Sequence, residues 1–246
     1  MTLPEVALVV PCFNEGARMD HQRFQVLAAD PRVSLVFVND ASTDRTAALL
    51  AEFVSTHEHA TMLSIDTNGG KGEAVRAGLL HAIACGTSWV GYLDADLSTS
   101  PEEMLRLIDL ATGSEHLEVV MGARVALLGR HIRRSPLRHY PGRAFATGAS
   151  LVLRKAVYDT QCGAKLLRTT DALRLAASVP FRSRWAFDVE LLGRLDRGGV
   201  EPGAFWEEPL LAWTDATPSK RSVWASVRAT CELPAIHRDL RAWARP

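Results

Sequence analysis

Two aspartates close a short apolar run: Trp89–Leu93 leads straight into Asp94-Ala95-Asp96 and then into the polar turn Leu97-Ser98-Thr99-Ser100. A carboxylate is costly to desolvate unless it is paired or bound to a metal, so acids at the end of a core-like strand need an explanation. In an extended chain, residues two apart point to the same side. Asp94 and Asp96 can therefore converge on one point while Ala95 faces away. Two hard oxygen donors of this kind suit Mg2+ or Mn2+. Asp is also frequent in turns and caps, and this stretch alone leaves both readings open.

Three more polar turns follow apolar runs in the first half: Pro11-Cys12-Phe13-Asn14-Glu15, Asn39-Asp40-Ala41-Ser42-Thr43-Asp44 and Asn68-Gly69-Gly70-Lys71-Gly72. Taken singly, each is explained by the backbone needs of a turn. The third is not a Walker loop, because glycine follows Lys71 and the required upstream glycine is missing. Its glycines still permit close approach of a ligand to the backbone, with Lys71 as a point charge. No GxGxxG occurs, which argues against a dinucleotide enzyme.

Charge is unevenly spread in the second half. Between Val119 and Tyr158 there is no Asp or Glu, against eight basic residues: Arg124, Arg130, Arg133, Arg134, Arg138, Arg143, Arg154 and Lys155. This is either a solvated basic face or a site for an anionic group, phosphate or lipid headgroup, since arginine binds phosphate bidentately. The neighbouring apolar stretch Ala144–Leu153 is expected in the core, with a membrane surface as the alternative. Farther on, Asp188 and Glu190 stand two apart in a helical pattern. They do not share a helix face, so at most one points into a site.

These residues need a scaffold. The first 125 residues alternate the apolar runs Val6–Val10, Leu35–Val38, Met62–Ile65, Trp89–Leu93 and Val119–Met121 with helical patterns near 17–29, 43–56, 73–85 and 101–112. That alternation predicts a parallel sheet covered on both faces. Ser100-Pro101-Glu102-Glu103 reads as an N-cap, a first-turn proline and a capping-box glutamate. The acidic pair thus falls in a strand-to-helix loop, and open α/β sheets bind ligands at the carboxyl ends of their strands. From Arg124 onward the alternation breaks down. The patterns there predict a helix near 143–157, a strand Ala164–Leu167, helices near 170–177 and 186–196, a strand near Phe205–Leu211 and a last helix near 222–241. No repeat or low-complexity linker interrupts the chain, so one domain over 1–246 is expected, with functional halves meeting near residue 125.

Composition narrows the classes. The 246 residues are 47% hydrophobic and 23% charged, as in an ordinary soluble protein, and their zero formal net charge speaks against a nucleic-acid partner. Cys12, Cys85, Cys162 and Cys231 are scattered without a CxxC, and read as reduced thiols of a cytosolic protein. The first apolar run lacks a basic flank and stops at Pro11, as a strand would rather than a signal peptide. No run approaches the roughly 18–20 apolar residues of a membrane span. The expected location is the cytoplasm, with any membrane contact peripheral and at the cytoplasmic face.

The stretches VVPCFNE (9–15), VNDASTDRT (38–46), NGGKGEAVRAG (68–78), YLDADLSTSP (92–101), VVMGAR (119–124), DTQCGAKL (159–166), WAFDVELL (185–192) and SK (219–220) together resemble glycosyltransferase family 2. Within it they resemble the polyprenyl-phosphate sugar transferases, dolichyl-phosphate glucosyltransferases first and dolichyl-phosphate mannose synthases next. The motifs run in family order, and DTQCG with WAFDVELL inclines the likeness toward the glucosyl branch. The resemblance implies an α/β GT-A nucleotide-diphospho-sugar transferase fold, with a mostly parallel central sheet and helices on both faces. Residues 1–125 would bind the nucleotide sugar and 126–246 the acceptor. By the same likeness Pro11, Phe13, Glu15, Asp40, Lys71, Asp94 and Ala95 would hold the nucleotide, Asp94 lying by the ribose and diphosphate. Asp96, together with Asp94, would bind Mg2+ or Mn2+. Arg124 and Lys220 would clamp phosphates, with Arg138, Arg143 and Gln161 beside the acceptor. Three departures stand out: Asn39 where the family often has Asp, Ser98 where some mannose synthases place a glutamine metal ligand, and no visible hydrophobic anchor of the kind many relatives carry.

The implied reaction is inverting transfer of a hexose from a nucleotide diphosphate sugar, UDP-glucose first and GDP-mannose second, to a polyprenyl phosphate. A departing nucleoside diphosphate gains negative charge that a cation and nearby Lys or Arg stabilise. An acceptor phosphate monoester, with a second pKa of about 6, is largely a dianion at neutral pH and needs no general base. A hydroxyl on a soluble glycan or small molecule would need one, worth roughly 10²–10⁴-fold, and Asp188 is the candidate. The catalytic candidates are therefore Asp96, Arg124 and Asp188. The third reading, a non-catalytic nucleotide-sugar binder, predicts loss of the metal carboxylate or the acceptor arginines, and both are present.

Overall fold

The computed structural model describes residues 4–133, 136–214 and 220–243, without the side chains of 136–140 and 220–227. Its first half follows the predicted alternation: β1 (Val6–Cys12), α1 (His21–Ala28), β2 (Val33–Asp40), α2 (Thr46–Thr56), β3 (Ala60–Ile65), α3 (Lys71–Ala84), β4 (Trp89–Leu93), α4 (Pro101–Thr112) and β5 (Val119–Ala123). The caps are the residues whose chemistry suits them. Asp20 accepts from Gln22 N and Arg23 N at the start of α1, and Ser100 Oγ accepts from Glu103 N at the start of α4, ahead of Pro101.

The second half continues with β6 (His131–Arg133), α5 (Pro136–Leu153), β7 (Ala164–Arg168), α6 (Asp171–Ser178), α7 (Phe187–Arg197), β8 (Phe205–Pro209), β9 (Ala212–Thr214) and α8 (Lys220–Ala242). Its boundaries depart from the sequence reading in three places. α5 starts at Pro136 rather than 143, because proline at a first helical position loses no hydrogen bond. It ends at Leu153 rather than 157, because Arg154 turns left-handed (φ 55°) and Lys155 N reaches back to Ser150 O. The run expected as one strand to Leu211 ends at Pro209, and a separate strand, β9, begins only at Ala212 and pairs in parallel with β6. Three-residue strands are too short to show a period.

One seven-stranded sheet, ordered β3-β2-β1-β4-β7-β5-β8, organises both halves. All its pairings are parallel except those of β7, which runs antiparallel to β4 and β5 between them. Side chains alternate along β1: Val6, Leu8 and Val10 pack with α1, α2 and α4 on one face, while Ala7 and Val9 pack with the helices of the other. That second face is covered by α3, α5, α6, α7 and α8. Phe145, Ala149 and Leu153 of the apolar stretch in α5 are buried there against α8, as the core reading expected.

Candidate functional site

The strand order reverses between β1 and β4: successive strands wind outward from β1 to β3, then β4 returns to the other side of β1. Such a switch point opens a crevice at the carboxyl ends of the strands. A cleft of about 360 Å³ lies there. Every residue expected at the nucleotide and the metal lines it: Pro11 near the end of β1, Phe13 and Glu15 after it, Asp40 ending β2, Lys71 after β3, and Asp94, Ala95 and Asp96 after β4. Arg18, Arg184 and Trp185 line it too, although the sequence reading did not single them out. The available signal was position: Arg18 shares a turn with Glu15, and Arg184-Trp185 opens onto the Asp188 motif.

Asp40 organises one wall. Its buried carboxylate accepts from Gly69 N (2.7 Å), Gly70 N (2.9 Å) and Asn68 Nδ2 (3.1 Å), folding the 68–70 loop around a single side chain. Gly70 takes φ +85°, a conformation glycine adopts without strain. Arg184 Nη2 donates to Asn68 O (2.7 Å) and straps the loop from outside. The loop delivers Lys71 as the first residue of α3, where the free amides and the helix dipole favour anions. Across the cleft, Arg18 Nη2 donates to Glu15 Oε1 (2.6 Å). Burial pushes the Glu15 carboxyl up, opposed by Arg18 and reinforced by Asp96 and Asp94.

The acidic pair meets in the cleft by a route other than the one the pleat suggests. β4 stops at Leu93 and the chain turns, with Leu97 N donating to Asp94 O (3.0 Å) and Leu97 at φ +50°. A turn, not strand alternation, brings the two carboxylates to one cavity. Asp94 Oδ1 lies 2.6 Å from Lys71 Nζ, and Asp96 Oδ1 accepts from Ser98 N (3.0 Å). Burial, then the Asp94 charge, raises the Asp96 pKa above the ordinary carboxylate range. Gly163 backs the turn: its carbonyl accepts from Asp94 N (2.9 Å), and a Cβ there would overlap the Asp94 carboxylate. Two repelling carboxylates of this kind fit a hard divalent cation by donor chemistry. Among the described residues no third His, Cys, Asp or Glu joins them in a ligand cluster.

The second-half candidates are placed differently. Arg124 was expected to clamp a phosphate. Its guanidinium instead grips Asp159 bidentately (Nε–Oδ2 2.6 Å, Nη2–Oδ1 2.7 Å) and stacks on Trp213, so its fork is already filled. Asp188 was the candidate base. It is 3% exposed and accepts from Lys165 Nζ (2.8 Å), Gln161 Nε2 (3.1 Å) and the Tyr92 hydroxyl, outside the cleft lining. In the free protein this carboxylate is held in the interior by three donors, an arrangement that suits a positioning residue better than a base. Gln161 is likewise turned to Asp188 rather than to the cleft. Arg143 donates to Tyr158 O (3.0 Å) and lies over the Tyr158 ring. Glu190 faces away from Asp188 and pairs with Arg194 (2.6 Å), as the helix period requires. The side chains of Arg138 and Lys220, and the whole of Ser219, lie outside the described residues. A second cavity of about 440 Å³, lined by Glu190, Arg194, Arg182 and Asp239, opens on no strand end, and its charges pair with one another.

A family model described as "Glycosyl transferase family 2" matches residues 7–172, from β1 to the start of α6, which hold all of the cleft lining except Arg184 and Trp185. The chain belongs to glycosyltransferase family 2. Among family members, dolichyl-phosphate beta-glucosyltransferase ALG5C of Trichomonas vaginalis is 30% identical, covering 95% of this chain and 71% of that protein. Polyprenol monophosphomannose synthase of Mycolicibacterium smegmatis is 25% identical, covering 78% of this chain and 72% of that protein. Glucosyl-3-phosphoglycerate synthase from Mycobacterium tuberculosis, crystallised with Mn2+, UDP and glucosyl-3-phosphoglycerate, superposes with a TM-score of 0.70 at 18% identity, covering 95% of this chain and 80% of that one. The fold of this family 2 glycosyltransferase is thus the GT-A fold, with the mostly parallel sheet described above.

Proposed function

We propose that this family 2 glycosyltransferase moves glucose from UDP-glucose to a polyprenyl phosphate, with Mg2+ or Mn2+ held by Asp94 and Asp96. One observation carries the reading: the acidic pair shares the switch-point cleft with Lys71 and Glu15. The likeness to dolichyl-phosphate beta-glucosyltransferases supports the sugar and the acceptor, and GDP-mannose stands second through the likeness to the mannose synthase. The UDP and Mn2+ of the structural neighbour support the donor and the cation.

The chain's own residues divide the work. Phe13 and Trp185, both exposed at the cleft, offer aromatic faces to the base. Asp40 holds the 68–70 loop so that Lys71 and the α3 amides face the diphosphate. When bound, the cation supplies positive charge against the diphosphate as it leaves. Lys71, paired with Asp94 in the free protein, then turns to the same developing charge. The acceptor phosphate oxygen bonds to the anomeric carbon from the opposite face as the bond to UDP breaks, inverting that centre. A dianionic phosphate has no proton to lose at the attacking oxygen, which agrees with the enclosure of Asp188. Arg138, Arg143 and Lys220 are proposed beside the acceptor phosphate. Arg124 and Gln161 are proposed to position the loop 159–163 through Asp159 and Asp188. Residues 1–125 are proposed to serve mainly the donor and 126–246 the acceptor, with Arg184 and Trp185 of the second half also lining the donor cleft.

No helix of the described residues is long and apolar enough to cross a membrane. We place the protein at the cytoplasmic face, meeting its lipid acceptor peripherally. The test incubates the protein with Mn2+ or Mg2+, labelled UDP-glucose or GDP-mannose, and a short polyprenyl phosphate, the matching polyprenol or 3-phosphoglycerate. Transfer from UDP-glucose to the polyprenyl phosphate alone, abolished by EDTA and by Asp96→Ala, is the expected result. Transfer to either hydroxyl acceptor instead overturns the acceptor assignment.

A further inference from the structure

β4 and β5 both run antiparallel to β7 and hence parallel to each other, so the carboxyl end of β5 lies on the rim that carries the cleft. After Ala123 the chain leaves this rim in a tight excursion. Val125 N donates to Ala123 O (3.0 Å), Leu127 N to Val125 O (3.0 Å) and Arg130 N to Leu127 O (3.1 Å). Gly129 takes φ +79° with open space around it, so the turn stands clear of the body. At its tip Leu128 is 104% exposed and Leu127 48%. Leu211, 41% exposed, is tied in beside them by His131 N donating to its carbonyl (2.7 Å).

Exposed leucines cost solubility and contribute nothing to this core, and Leu127 and Leu128 sit inside the segment that holds eight basic residues and no acid, of which Arg124 and Lys155 are ion-paired elsewhere. Arg130 ends the turn, and His131 and Arg133 follow at the exposed positions of β6. Glu208, an acid near enough to feel Arg130, is already paired with Arg106 (2.6 Å). An apolar tip with a cationic collar matches one kind of surface: acyl chains take the leucines while anionic headgroups meet the arginines.

We infer that the Leu127–Arg130 turn, with Leu211, seats this protein on an anionic bilayer and turns the donor cleft toward it. The direction of that seating rests on the lipid-acceptor reading; the vesicle contact itself does not. The experiment sediments the full chain with vesicles of phosphatidylcholine, alone or with about 30% phosphatidylglycerol. Binding is expected on the anionic vesicles, and Leu127→Ser with Leu128→Ser should weaken it at least about tenfold. Arg130→Glu with Arg133→Glu should remove the preference for phosphatidylglycerol, and a Leu128→Trp variant should shift its emission to the blue when vesicles are added. The double serine variant should keep its rate on a water-soluble short-chain acceptor phosphate without vesicles, which separates the surface from the reaction. A wild-type protein that stays in the supernatant, or a serine variant that sediments equally, overturns the inference. So does a solution dimer that the serine variant dissolves while neither protein binds vesicles, since the leucines would then belong to a second copy of this chain.

Discussion

Lys71 Nζ stands 2.6 Å from Asp94 Oδ1, so the free cleft carries its own counter-ion at the acidic pair. Burial works against the Lys71 ammonium, but Asp94, Asp188 and Asp96 outweigh it and hold its pKa above the ordinary lysine value. On the proposed function, a divalent cation would have to compete with Lys71 for Asp94 until a diphosphate drew the lysine away. Lys71→Met should tighten Mn2+ binding without nucleotide about tenfold and weaken UDP binding by a similar factor, about 1.4 kcal/mol each way. Free Mn2+ followed by EPR, and UDP by calorimetry, read the two effects. Mn2+ affinity that falls or stays level in the variant would remove the competition.

Asp96 is a site held against the interest of the fold. Its pKa is raised by burial and by Asp94, so its ionised form destabilises the unliganded protein. The sign follows: the contribution of Asp96 to stability is intact where it is protonated and is lost as pH rises from its unfolded toward its raised folded pKa. Asp96→Asn should raise the melting temperature at pH 7 by roughly 2–4 °C, with the gain shrinking toward pH 4, while transfer is lost. A melting temperature that drops at pH 7 would contradict this assignment of strain.

Gly163 tests the placement of Asp94. A Cβ at this position meets the Asp94 carboxylate, whereas the backbone there is not left-handed, so the fold should accept alanine. Gly163→Ala should cut transfer roughly 10²-fold, the cost of a misplaced reacting group, with an unchanged circular dichroism spectrum. Near wild-type activity would mean that Asp94 does not need its observed position.

Lys165 and Asp188 form a pair buried on both sides, with side-chain exposures of 0% and 4%. Lys165→Met leaves Asp188 charged in the interior, at a cost of about 3–5 kcal/mol in urea unfolding. Adding Asp188→Asn should restore part of that loss, because the two sites act as one unit. Additive losses would show that the pair is not coupled.

Asp188 also has a kinetic signature. If it only positions Gln161 and braces Tyr92, the pH profile of transfer in Asp188→Asn should keep the wild-type shape with a reduced maximum. Loss of the acidic limb of that profile would return Asp188 to the role of base.

Much of the donor side was legible before any tertiary contact was known. Continuous apolar runs of strand length, a period near 3.6 between them, and the cap at Ser100 are local properties, and they specify strand, helix and chain direction within a few residues. Once the strands of β1 to β4 are parallel, their polar ends must lie on one rim, which is why Glu15, Asp40, Lys71 and Asp96 could be grouped from their order along the chain. What only the tertiary structure decided is which charges meet. Arg124 finds Asp159 35 residues away, Tyr92 finds Asp188 96 away, and β7 enters the sheet antiparallel between β4 and β5. A charged side chain records its sign but not its partner, and the partner is set by how a distant segment returns to the sheet. That return pairs Arg124 with Asp159 and Asp188 with Lys165, and leaves the acidic pair with Lys71 to face the cleft.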